Sequence, residues 1–293
     1  MNALLHEIEQ YWTRRAESYS EVVQYEMTHE NEANWMRVIE ENLPQSRDVK
    51  ILDIGTGPGF FAIGLAKRGY DVTAVDYTQA MLDEAMRNAG PYRDRIRFLR
   101  MDAHSLDFAD NTFDAIVTRN LTWNLERPQD AYNDWCRVLK PGGILLNFDA
   151  GWYTYLFDEQ KQAAFQADRA NVAALGVIDH NDYCESDRME DISRSLILSR
   201  SERPKADVQM LGKAGFRSVR ADTEIWKRTW DDVEKVNFAS TPLFLLCAQK
   251  RIHRKKRPAQ RQLHRGAPAP KSFKKLAGSV IIAHPPQKGK RNR

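Results

Sequence analysis

Between Val49 and Ala150, short apolar runs alternate with amphipathic stretches. VKILDI (49–54), DVTAVD (71–76), IRFLRMD (96–102), FDAIVTR (113–119) and ILLNFDA (144–150) read as strands. Phe60 to Arg68, TQAMLDEAMRNA (78–89) with Thr78 as its cap, and Pro128 to Leu139 read as helices. The last of these is stopped by Pro141 and Gly142-Gly143. Strands this short and this continuously apolar are buried on both faces, and strands joined through a helix run parallel. The alternation predicts an α/β fold: a mostly parallel sheet with helices on both faces.

The flanks read differently. Residues 1–46 carry apolar residues at helical spacing, with Leu4, Leu5, Ile8, Tyr11 and Trp12 in one group and Trp35, Val38, Ile39 and Leu43 in a second that stops before Pro44. Residues 151–203 are polar and helix-rich, with no strand pattern, and predict a helical cap inserted over the sheet edge where ligands bind. A helix over 206–216, a strand near Arg217–Thr223 and a last strand, TPLFLLCAQ (241–249), complete the central domain of 47–249. Residues 250–293 hold 15 of the 44 Lys and Arg residues and none of the 40 acidic ones, so the preceding residues carry a net charge of −11. This proline-containing basic tail has little to bury and is expected to be disordered. Cys136, Cys184 and Cys247 have neither disulfide nor zinc spacing. No apolar run reaches the ~20 residues of a membrane span, and MNALLHEIEQ lacks the features of a secretory signal; a cytoplasmic protein is expected.

ILDIGTGPGFFAIGLAKRG (51–69) places Gly55, Gly57 and Gly59 between the first strand and its helix. Glycine there lets a loop turn sharply, bring backbone N–H groups against a ligand and start the helix close to the strand. Asp76 ends the second strand, and a carboxylate there can accept two hydrogen bonds from ribose hydroxyls. Dinucleotide-binding proteins share both devices, but the spacing here is G-T-G-P-G rather than G-x-G-x-x-G.

Four segments in order, ILDIGTGPGFFAIGLAKRG, VTAVDYTQAMLDEA, IRFLRMDAHSLDFADNTFDAIVTRN and RVLKPGGILLNFD, resemble the successive motifs of the class I S-adenosylmethionine-dependent methyltransferases. The resemblance covers residues 47–150. It implies a Rossmann-like seven-stranded sheet with an antiparallel last strand, S-adenosyl-L-methionine as cofactor and direct displacement of its methyl group. Asp53 and the loop Gly55, Thr56, Gly57 and Gly59 would hold the methionine part. Asp76 would bind the ribose, Tyr77 and Met81 would flank the adenine, and Asp102 with Ala103 would meet the adenine edge. Asn120 would lie under the sulfonium. YWTRRAESY (11–19) resembles the leading helix of small-molecule members, in which Tyr19 would close over the cofactor.

The acceptor is expected to contact the N-terminal helices and the insertion, where Trp152, Tyr153, Tyr155 and Phe157 cluster. Aromatic faces with carboxylates suit a cationic or apolar small molecule. His180, between acidic residues, is the histidine best placed to act as a base; His104 follows Asp102 and has no assigned side. No His, Asp and Glu spacing points to a metal. The expectation is a small-molecule methyltransferase. The alternative is a nucleic-acid methyltransferase docking weakly through residues 250–293. Against that alternative, RNLTWNL follows the fourth strand in place of an Asn/Asp-Pro-Pro-aromatic motif, and no Pro-Cys nucleophile is present. The acceptor atom and the oligomeric state stay open.

Overall fold

Seven strands form one sheet in the order β3-β2-β1-β4-β5-β7-β6. The computed structural model describes residues 3–28, 31–46, 48–181 and 185–252. In chain order these give helices α1 (Ala3–Thr28) and α2 (Asn31–Asn42), then β1 (Lys50–Ile54), α3 (Phe60–Lys67), β2 (Asp71–Asp76) and α4 (Gln79–Ala89). There follow β3 (Ile96–Arg100), β4 (Phe113–Arg119), α5 (Pro128–Val138) and β5 (Leu139–Asp149). Helices α6 (Glu159–Leu175), α7 (Ser186–Arg194) and α8 (Lys205–Ala214) lead to β6 (Phe216–Asp222), α9 (Trp226–Thr229), α10 (Asp232–Asn237) and β7 (Phe244–Lys250). β7 pairs antiparallel with both β5 and β6, and the remaining pairs are parallel. This is the mostly parallel, Rossmann-like sheet that the sequence implies.

Side-chain alternation sorts the strand residues onto two cores. Ile51, Val72, Ala74, Ala115, Val117 and Leu146 face α2 and α3. Leu52, Ile54, Val75, Ile116 and Leu145 face α5 and α8. A smaller cluster joins Ile8 and Tyr11 of α1 to Trp123 and to Met189, Ile192 and Leu196 of the segment around α7. The N-terminal helix and the insertion thereby pack together.

Two local expectations are revised. β5 begins at Leu139 and runs through Pro141-Gly142-Gly143 instead of starting at Ile144. Gly142 takes φ +83°, and a Cβ on Gly143 would lie 2.9 Å from the Asp114 and Lys140 carbonyl oxygens, so these glycines shape an irregular strand start rather than end a helix. Thr78 precedes α4 but its side chain caps nothing. Residues 224–240, which carry no strong periodicity, form α9 and α10. The predicted tail from residue 253 onward, and Cys184, lie outside the described residues, while Lys250 closes β7.

The insertion is anchored at its C-terminal end by Arg203. Its guanidinium makes paired 2.9 Å bonds to Asp207, reaches Asp149 at 3.2 Å and donates to the Ala150 carbonyl at 2.8 Å. All three charged side chains are almost fully buried. Removing one partner of such a group leaves uncompensated buried charge, at a cost of about 3–5 kcal/mol. Arg203→Leu is therefore expected to lower unfolding free energy by about that amount in urea denaturation.

Candidate functional site

The loop after β1 is held by two carboxylates. Gly55, Gly57 and Gly59 take φ of +67°, +51° and +97°, a region that side chains disfavour. Asp53 accepts the Thr56 hydroxyl at 2.7 Å and the Ala62 N–H at 3.0 Å, which ties the loop to the first turn of α3. Asp76 accepts the Gly57 N–H at 2.9 Å on one oxygen and the Thr78 N–H at 2.9 Å on the other. Gly59 stands apart from the cavity. A Cβ there would lie 2.9 Å from Ile63 Cδ1 and 3.3 Å from Ala85 Cβ, so Gly59 brings α3 and α4 together.

Burial dominates the electrostatics of both carboxylates. It raises Asp53 to about 7 and Asp76 to about 6, despite the hydrogen bonds that favour their ionised forms. Asp102 moves the other way. Burial pushes its carboxyl up, but the hydrogen bonds and charge of His104 more than offset this. The His104 ring is buried, its Nδ1 lies 2.6 Å from Asp102 Oδ1, and its Nε2 accepts the Arg127 N–H at 3.3 Å. His104 is a structural partner of Asp102 rather than a solvent-facing residue.

These groups open onto one cavity of about 970 Å3. One half is lined by Asp53, Gly55, Thr56, Gly57 and Asp76, and farther along by Tyr77, Met81, Asp102 and Ala103. Tyr77 is steadied by Arg100, which donates to its carbonyl at 2.9 Å and lies 5.5 Å over its ring. Tyr19 of α1 closes this half from above, its ring edge 3.7 Å from where a Gly57 side chain would begin. Asn120, at φ +53°, accepts from the Trp123 indole through its carbonyl at 2.8 Å. Its side chain engages the Tyr19 hydroxyl, and its Oδ1 is buried with no protein partner.

The other half is built by α1, the insertion and the segment around α9 and α10. Trp152, Trp230 and Phe238 pack edge-on and tilted at 5.1–6.4 Å. His180 stands 5.8 Å from Phe238, and burial lowers its basicity. Arg119, at the end of β4, lies 4.1 Å from the Phe60 ring centre and pairs with Glu26 of α1 at 2.7 Å. The sequence reading brings Tyr19, Asn120 and His180 to this cavity but misses Glu26, Arg119, Trp230, Glu234 and Phe238. Asp231-x-x-Glu234 does carry a local signal, a capping box that starts α10. Nothing local ties it to Arg119.

The site suits S-adenosyl-L-methionine by the chemistry of its donors. Buried Asp53 and half-buried Asp76 keep raised proton affinities despite the hydrogen bonds they accept and, for Asp53, the charge of Arg119, a glycine loop leaves backbone open, and the buried Asn120 amide oxygen awaits a partner; the cofactor brings an ammonium, a sulfonium and ribose hydroxyls. The volume lies at the upper end of the ~300–1,000 Å3 range for ligand pockets, leaving room for a second molecule.

Comparison with known proteins agrees. A family profile described as a methyltransferase domain matches residues 52–147. The chain is 34% identical over 176 residues to a ubiquinone/menaquinone biosynthesis C-methyltransferase, UbiE, of Cereibacter sphaeroides, covering 58% of this chain and 67% of that protein. It is 34% identical over 112 residues to a demethylmenaquinone methyltransferase of Renibacterium salmoninarum, covering 38% and 46% of the two chains. Among solved structures, phosphoethanolamine N-methyltransferase 2 of Haemonchus contortus, in complex with S-adenosyl-L-methionine, shares the fold with a TM-score of 0.52 and 18% identity. That match covers 75% of this chain and 52% of the other.

The raised carboxylates make a stability prediction. Unfolded carboxylates release their protons near pH 4, whereas folded Asp76 and Asp53 hold theirs to about 6 and about 7. The folded state binds more protons in that window, so stability falls as pH rises through it. The melting temperature of the cofactor-free protein is expected to drop from about pH 5 to 7, and to drop less in Asp76→Asn, as read by scanning calorimetry.

Proposed function

Since the chain belongs to the class I S-adenosylmethionine-dependent methyltransferases, we propose that it methylates a small molecule carrying a phenolic ring. The observation that carries this reading is the continuity of one cavity from the Asp76–Gly57 contact to the Trp152, Trp230 and Phe238 walls. The relatives named for ubiquinone and menaquinone biosynthesis support the same acceptor class. The basic segment that suggests a nucleic-acid acceptor lies, from residue 253, outside the described residues. A partly enclosed, aromatic-walled cavity favours a small molecule over a polymer.

S-adenosyl-L-methionine supplies an electrophilic methyl group when bound. Asp53 holds the loop Gly55–Thr56–Gly57 in shape for the methionine part, and Gly59 acts indirectly through helix packing. Asp76 accepts the ribose hydroxyls with the lone pairs its backbone bonds leave unused. Tyr77 and Met81 enclose the adenine, with Asp102 and Ala103 at its edge. Asn120 and Tyr19 form the boundary between the two halves, where donor and acceptor meet. His180, kept neutral by burial, offers a ring nitrogen to the acceptor. Trp152, Trp230 and Phe238 orient the ring and exclude water. Such alignment accounts for up to ~7–11 kcal/mol of barrier lowering.

Calorimetric titration with S-adenosylhomocysteine tests the cofactor assignment. Asp76→Ala is expected to weaken binding about 10- to 100-fold, the loss of hydrogen bonds to a charged group together with the Gly57 and Thr78 N–H bonds that shape the loop. Trp230→Ala is expected to leave that affinity intact and to slow labelled methyl transfer to 1,4-naphthoquinol. Wild-type protein that fails to bind S-adenosylhomocysteine would contradict the cofactor assignment. Wild-type protein that binds it but labels no phenolic ring would contradict the acceptor assignment.

A further inference from the structure

The wall of the acceptor half holds a buried donor that the protein leaves unmatched. Trp152 lines the cavity, and its indole Nε1 is sealed from water with no hydrogen-bond partner among the described residues. Other buried indoles in this chain are matched. Trp123 donates to the Asn120 carbonyl and Trp135 to the Ala103 carbonyl, each at 2.8 Å. A buried indole N–H usually finds such a partner, and one that does not is a standing cost until something supplies it. Asn120 Oδ1 and Asn124 Oδ1, also unmatched on this cavity, are acceptors. Arg169 Nε belongs to a guanidinium already engaged by Asp179 and Asn237.

The surroundings of Trp152 explain why nothing inside the protein meets this N–H. Its ring neighbours are Trp230, tilted at 6.4 Å, and Phe238, edge-on at 5.1 Å. A phenyl ring has no lone pair to offer, and an indole nitrogen only donates. The carbonyls beside Trp152 in the chain are occupied. That of Ala150 accepts from Arg203 at 2.8 Å, and that of Gly151 accepts the Thr154 N–H at 3.0 Å and hydroxyl at 2.9 Å. The same bonds fix the backbone that carries the ring. The ring itself packs against both the core beneath α2 and α3 and the cluster of α1 and α7. The donor is therefore positioned before a ligand arrives, which lowers the ordering cost of binding. Trp152 is only partly buried, so a small turn of its ring presents the N–H to the cavity.

We propose that Trp152 is a specificity-determining donor, whose indole N–H bonds an oxygen carried by the acceptor ring. The inference rests on the phenolic reading given above. Aromatic walls hold a flat ring by its faces but leave it free to spin in its own plane. One hydrogen bond at the rim stops that spin and fixes which ring atom faces the boundary at Asn120. The indole only donates, so the ligand must bring the lone pair. A hydroxyl, phenolate, ether or ring carbonyl oxygen meets that demand, and a hydrocarbon or an ammonium does not. A ring without oxygen is disfavoured because it seals the N–H away with no partner.

The test uses full-length protein loaded with S-adenosylhomocysteine and two ligands of one shape. These are 1-methoxynaphthalene, whose oxygen accepts a hydrogen bond, and 1-ethylnaphthalene, which has a methylene in its place. In fluorescence titrations the wild type is expected to bind the methoxy ligand about 10-fold more tightly, the effect of one hydrogen bond to an otherwise unmatched donor. Trp152→benzothienylalanine keeps the ring shape and puts sulfur where the N–H stands. It is expected to bind both ligands alike, and unchanged affinity for S-adenosylhomocysteine verifies its fold. With isotope-labelled tryptophan, the indole resonance missing from Trp152→Phe belongs to Trp152. Its proton is expected to move downfield with the methoxy ligand and not with the ethyl ligand. Equal affinities in the wild type, a preference that survives in Trp152→benzothienylalanine, or an indole resonance that the two ligands move alike would overturn the proposal and leave the phenolic reading standing. A wild type that binds S-adenosylhomocysteine but neither naphthalene would overturn the phenolic reading and this inference with it.

Discussion

The clamp of Asp53 and Asp76 on the glycine loop is the contact on which the rest of this structure depends. The loop needs positive φ at three glycines, and such a backbone holds one shape only if its polar groups are tied down. Asp53 ties it to α3 and Asp76 ties it to β2. The clamp withdraws two carboxylates from water, and neither the hydrogen bonds they accept nor the Arg119 charge near Asp53 offsets that. Their raised proton affinities record that cost. A ligand bringing positive charge and hydroxyl donors relieves it. The element that shapes the loop therefore also selects what the loop binds.

The second half of the cavity follows from how the chain covers the carboxyl ends of the strands. α1 crosses the opening, held to the sheet by the Arg100–Glu9 and Arg119–Glu26 pairs and to the insertion side by Arg14–Glu185. The insertion contributes Trp152, Tyr155 and His180, and the segment before β7 contributes Trp230, Glu234 and Phe238. Asn237 joins the last two contributors, because it accepts the His180 N–H at 2.9 Å and donates to the Ile178 carbonyl at 2.8 Å. An acceptor pocket of this kind can change by altering cover elements while the clamp stays fixed.

What the sequence disclosed divides along the same line. The five parallel strands, the glycine loop, Asp76 and Asp102 leave local traces, because each demand is met by a residue type at a fixed place in a strand-loop-helix unit. The antiparallel last strand was legible through the resemblance and its apolar run, but the start of β5 was not, since Pro141-Gly142-Gly143 resembles a stop signal until Asp114 is seen beside it. Burial of His104 was invisible because the partner of its Nε2, the Arg127 N–H, comes from elsewhere in the chain. The acceptor pocket was least legible of all. Glu26 and Arg119 each resemble a solvated charge in their own windows, Glu234 reads only as part of a capping box, and only the fold brings the three within electrostatic reach.

The central claim is that one cavity brings S-adenosyl-L-methionine and a small acceptor together. Methyl-labelled cofactor added with the protein to a cell extract, followed by separation into small-molecule, RNA and protein pools, tests it most directly. Label concentrated in the small-molecule pool, and absent when Asp76→Ala replaces the wild type at limiting cofactor, is the predicted result. Label entering RNA or protein instead would contradict the account, because a polymer would then be reaching the site through a cover built for a small ring.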